Sequence, residues 1–123
     1  MELPWEDQDQ ENPESEFHLD IEPVISCQFQ DGTLFVFEDQ LFIERPQRSS
    51  FSDKWIALSQ VSDVRYAKRL VISYIQIAQV DFENDDGGFL STPVDENTLH
   101  FGFGKRDCAK RARDEIFERL EPE

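Results

Sequence analysis

Asp31-Gly32-Thr33-Leu34-Phe35-Val36-Phe37-Glu38-Asp39-Gln40-Leu41-Phe42-Ile43-Glu44, residues 31–44, decides the fold class of this 123-residue chain. Two apolar runs, 33–37 and 40–44, are separated only by Glu38-Asp39, the spacing of a tight hairpin. Their β-branched and aromatic residues suit a pleated, half-buried surface. Asp31-Gly32 ahead of them is the strongest short hairpin signal in the chain. Upstream, Val24-Ile25-Ser26-Cys27-Gln28-Phe29-Gln30 alternates in part and supplies the strand on its other side. Three consecutive strands form a meander.

Outward from the meander, Pro46 ends the third strand because proline cannot donate to a ladder. Gln47 to Asp53 is polar and Ser-rich, a surface loop. Lys54-Trp55-Ile56-Ala57-Leu58 is a fourth strand. Residues 59–67 begin as a turn and continue as a fifth, with Val64 and Tyr66 on one face. Residues 71–80 are the longest strand. A loop of six acids and no bases, Asp81 to Asn97, precedes a seventh strand, 98–103, with Leu99, Phe101 and Phe103 on one face. Then the period changes. Ala109, Ala112, Ile116 and Leu120 recur at helical spacing, with Asp107 as N-cap and Pro122 as the stop. The pattern predicts a mainly β, α+β fold of about seven antiparallel strands and one C-terminal amphipathic helix.

Charge divides the chain. Residues 1–22 hold nine acids and no Lys or Arg, which predicts an acidic, flexible tail ahead of a single domain over 23–121. The net charge of −15 argues against nucleic acid and against anionic lipid. High acidity with Arg exceeding Lys also fits a halophilic, salt-loaded cytoplasm. The leading residues are acidic and not hydrophobic, so no secretory signal is expected. A cytoplasmic protein is expected, with Cys27 and Cys108 as reduced, buried, small hydrophobes.

Four pieces resemble a prokaryotic pleckstrin-homology-like (PH-like) family of unknown function, over about residues 30–120. They are Asp31-Gly32-Thr33-Leu34, the turn Ile56 to Val64, Tyr74-Ile75-Gln76-Ile77, and Asp95-Glu96-Asn97-Thr98-Leu99-His100-Phe101. The resemblance implies a PH-like barrel, two near-orthogonal sheets with the helix plugging one end. It supplies no catalytic residues. The resemblance includes a helical tail after the domain in longer relatives; none is expected here past Glu123.

Chemistry is sparsely supported. Phosphoinositide binding by such folds needs Lys and Arg between the first two strands, where this chain has Gln30-Asp31-Gly32. Asp81, Glu83, Asp85 and Asp86 resemble the start of a calcium loop, but Thr92 stands where the bidentate Glu belongs. A calcium-responsive or enzymatic domain built on residues 81–97 is the alternative reading. His100 has no nucleophile placed beside it, and Gly102-Phe103-Gly104-Lys105 lacks phosphate-loop spacing. No cofactor and no catalysis are expected. Both faces of the second hairpin are apolar, so Phe35, Phe37 and Phe42, with Trp55, are candidate anchors for a protein or peptide. Arg65, Lys68 and Arg69 form a basic cluster suited to the acidic tail or an acidic partner. The reading is a non-catalytic, peptide- or protein-binding module that forms a homo-oligomer.

Overall fold

A computed structural model describes residues 22–88 and 91–120. Its strands are β1 (Ile25–Phe29), β2 (Gly32–Val36), β3 (Gln40–Glu44), β4 (Lys54–Ala57), β5 (Val61–Ala67), β6 (Ser73–Gln79) and β7 (Thr98–Phe101), followed by one helix, α1 (Arg106–Arg119). Short 3-10 turns at Leu58–Gln60 and Phe103–Lys105 join β4 to β5 and lead into α1. The fold is mainly β. A four-stranded antiparallel sheet has the order β1-β2-β3-β4, and a three-stranded one the order β5-β6-β7. Among the described residues the two sheets do not share a ladder, so the strands do not close into a single barrel. The expected tail, apart from Glu22, and the stop at Pro122 lie outside the described residues.

Alternation sets which side chains face inward. Leu34, Val36, Leu41, Ile43 and Ile56 from the larger sheet are buried against Val64, Ile75, Ile77, Leu99 and Phe101 from the smaller. Ala109, Ala112 and Ile116 of α1 complete this core; the two alanines let the helix lie close to β1 and β5.

The meander registers are Leu34 opposite Ile43 and Phe42 opposite Trp55. Glu38-Asp39 makes the predicted turn, closed by Phe37 N–H donating to the Gln40 carbonyl at 2.8 Å. The first hairpin differs from expectation. Its turn is Gln30-Asp31, and Gly32 already pairs with Phe29 as the first residue of β2. Glycine is needed there for close approach: a Cβ would lie 2.7 Å from Leu99 Cδ2 and 2.8 Å from the Glu44 carbonyl oxygen.

Three further expectations are corrected. β7 stops at Phe101, and Phe103, expected on one face of that strand with Leu99 and Phe101, sits on the 3-10 turn at 79% exposure. The residue ahead of α1 is Lys105, and Asp107 lies inside the first turn without capping it. Cys27 and Cys108 are not free thiols; they form a disulfide between β1 and the first turn of α1, Cα atoms 5.9 Å apart. Separation in sequence hid this pairing, because only the packing of α1 on β1 brings the two together.

Candidate functional site

The outer face of the larger sheet carries an aromatic row. Phe35 and Phe42 are cross-strand partners, as are Phe42 and Trp55, which places three rings side by side on β2, β3 and β4. Phe42 and Trp55 centroids are 4.4 Å apart, Phe35 and Phe42 5.9 Å. Phe37, just past β2, closes the group at 5.7 Å from Trp55 and 6.4 Å from Phe35. Phe37 is buried, Phe35 and Phe42 are half-buried, and Trp55 is 38% exposed. The four sequence-predicted anchors therefore form one connected cluster. Ring pairs of this kind contribute about 0.5–1.5 kcal/mol beyond burial.

At the end of the fold marked by the Gln30-Asp31 turn lies a polar lock that the sequence reading missed. Arg45, directly after β3, is buried, and its guanidinium donates to four main-chain carbonyls. These are Asp31 at 3.0 Å, Thr98 at 3.0 Å, Glu96 at 3.1 Å and Asp95 at 3.4 Å. Burial lowers its pKa, and Asp31, Asp95 and Glu96 oppose that. Lys54 donates to Glu96 at 2.7 Å and to Asn97 at 2.8 Å, with its ammonium 4.1 Å from the Phe82 ring centroid. The signal in the sequence was an arginine and a lysine flanking one loop, opposite a segment of six acids and no bases.

His100 belongs to the same lock. Its Nδ1 donates to Asp31 Oδ2 at 2.7 Å and its Nε2 to the Pro93 carbonyl at 2.9 Å. The hydrogen bond to Asp31 raises the imidazole pKa above its ordinary value, against the opposing pull of burial. Acceptors at both ring nitrogens favour the protonated imidazole.

The acidic loop is organised around Asp95. Its carboxylate accepts from Thr98 Oγ1 at 2.7 Å, from the Asp85 and Asn97 amides at 2.8 Å each, and from Gln76 and Asn84 at 3.1 and 3.2 Å. Burial pushes its pKa up, but hydrogen bonds led by that from Thr98 outweigh burial and hold it below the ordinary carboxylate range. Gln76, buried on β6, also donates to the Asp85 carbonyl, and Asp85 accepts from the Val94 amide. Asp81, Glu83 and Asp86 are exposed. Among the described residues no three metal-ligating side chains come together.

The predicted basic cluster is split. Arg65 donates to Gln76 at 2.9 Å, and the Arg69 guanidinium lies 5.5 Å from the centre of the Tyr74 ring. Lys68 faces the start of α1 instead and lines a cavity of about 440 Å3 with Tyr66, Phe103, Gly104, Arg106, Asp107 and Lys110. A larger groove, about 740 Å3, runs between the β4–β5 corner and the end of α1, past Leu58, Val61, Ser62, Arg119 and Leu120. Among the described residues no helix is long and apolar enough to cross a membrane. Comparison of the chain with family models, curated proteins and solved structures finds no match.

Proposed function

We propose that this chain is a PH-like domain that acts by binding, without catalysis, and that it self-associates through the outer face of β2, β3 and β4. One observation carries the reading: Phe35, Phe42 and Trp55 lie in continuous ring contact across the outer face of β2, β3 and β4, with buried Phe37 at the edge of the row. The four-plus-three strand order with a terminal helix supports the PH-like assignment. The groove between β5 and α1 supports peptide binding, since β5 is an edge strand that can accept an added strand.

A second copy is the occupant of choice, because an isologous contact sets the same aromatic row against itself. Light scattering tests this. The full chain is expected to have a mass above that of one copy, and Trp55→Ser to shift it toward the monomer without loss of fold. An unchanged mass in Trp55→Ser and Phe35→Ser overturns the assignment. For the compartment, the disulfide favours an oxidising environment over the reducing cytoplasm. Thiol labelling of protein taken directly from its cells separates the two.

A further inference from the structure

Eight of the chain's twelve lysines and arginines, and one acid, Asp107, fall within residues 65–71 and 102–113. Of these, Lys68 in the loop between β5 and β6 and Arg106 and Lys110 in the first turns of α1 meet at one pole of the fold. Arg106 joins these segments. Its guanidinium donates to the Arg69 carbonyl at 2.6 Å and lies 4.8 Å from the centre of the Phe103 ring. Beside it, Lys68, Lys110, Tyr66 and Phe103 line the 440 Å3 cavity. Two donors at this cavity, the Tyr66 hydroxyl and Arg106 Nε, are shielded from water and lack a hydrogen-bond partner among the described residues. The first turn of α1 has no side-chain cap, so its partial positive charge adds to the cations. Next to Lys68 and Arg69 in the β5–β6 loop, Leu70 is 97% exposed and Val71 74%. The cavity thus offers donors, positive charge and apolar surface, with Asp107 as its lone carboxylate.

We propose that this pole is a docking site for an acidic peptide, and that its occupant is the stretch 1–22 of a second copy of the chain. Charge complementarity carries the assignment. That stretch has nine side-chain carboxylates and no Lys or Arg, with Leu3, Trp5 and Phe17 spaced among them. Its carboxylates meet Lys68, Arg106 and Lys110, and its apolar side chains meet Phe103, Leu70 and Val71. The contact is electrostatic in its long-range part and weakens with salt. It adds to the sheet-face association and rests on it only for the identity of the partner as a second copy.

The test uses the full chain. A fluorescent peptide of residues 1–22 is titrated into a receiver in which Glu2, Glu6, Asp7 and Asp9 are replaced by their amides. Binding is expected, and Lys68→Glu/Lys110→Glu in that receiver is expected to weaken it at least about tenfold, as is raising salt from about 0.05 to about 0.5 M. Both lysines are exposed, so the variant folds. In the otherwise unaltered chain, Lys68→Glu/Lys110→Glu is expected to weaken self-association about tenfold at low salt and not at high salt. No peptide binding, or equal binding by both receivers, overturns the site. Peptide binding without any change in self-association overturns the second copy as occupant and assigns the chain's own stretch. Binding to phosphatidylserine vesicles in place of the peptide, lost in the same variant, overturns the peptide and assigns a bilayer. Loss of association in Trp55→Ser with peptide binding intact separates this site from the sheet face.

Discussion

Arg45 bonds four carbonyls contributed by the β1–β2 turn and by the segment leading into β7. No neutral side chain presents so many donors in one plane. Arg45→Met keeps the stem's packing and removes the donors. It is expected to destabilise the fold by on the order of 3 kcal/mol, read as a lower midpoint in urea at unchanged slope. His100 makes the second residue-scale prediction. Its pKa is raised in the folded state, so the protonated ring's contribution is fully present below the ordinary value of about 6.5. That contribution is lost as pH rises through the folded-state value. Tm is therefore expected to fall over that window in the parent chain and to stay flat in His100→Gln, measured against pH. Asp95 acts on the acid side with the opposite sign: its pKa is depressed, so its contribution is present above the ordinary carboxylate value and lost as pH falls. These residues were only partly legible in the sequence. His100 read as a plain strand histidine, because its partners Asp31 and Pro93 come from different loops.

Among the elements, α1 is attached to the sheets in two ways. Its alanine and isoleucine stripe packs on β1 and β5, and Cys108 is bonded to Cys27. The bond closes a loop across 81 positions, so reduction frees a large part of the unfolded chain. It is expected to cost about 2–5 kcal/mol, measured as the drop in unfolding midpoint with dithiothreitol. Cys27→Ala/Cys108→Ala should show the same drop and no further response to the reductant. A reductant-insensitive midpoint in the parent chain would contradict the bond. The strands and the helix were readable because periods of 2 and 3.6 are local properties. β3 has the bounds expected from its alternation, Gln40 to Glu44. What failed was local chemistry overruled by neighbours. Gly32 serves approach to Leu99 more than the turn, and Phe103 leaves its strand because the chain enters a 3-10 turn over Phe103–Lys105. Gly32→Ala accordingly forces Leu99 or the Glu44 carbonyl to move, and is expected to lower Tm by several degrees.

At the scale of the molecule, the described surface presents an aromatic sheet face, an edge groove beside α1 and a basic pole. The first was legible in the sequence, since Phe35, Phe37, Phe42 and Trp55 do assemble into one cluster. The basic pole was half legible. Lys68 was named, but Arg106 and Lys110 were not joined to it, because only the tertiary fold sets the start of α1 against the β5–β6 loop. Arg45 and Lys54 are committed to the polar lock. The acidic balance of the whole chain therefore conceals a local patch of opposite sign.

In the proposed assembly the aromatic face joins copies of this chain. Multi-angle light scattering at low and at multimolar salt tests it most directly. A defined oligomer in both conditions, reduced to a monomer by Trp55→Ser/Phe35→Ser, is the predicted result, because apolar contacts are not screened by salt. A monomer in both conditions, or an oligomer indifferent to those substitutions, would contradict it.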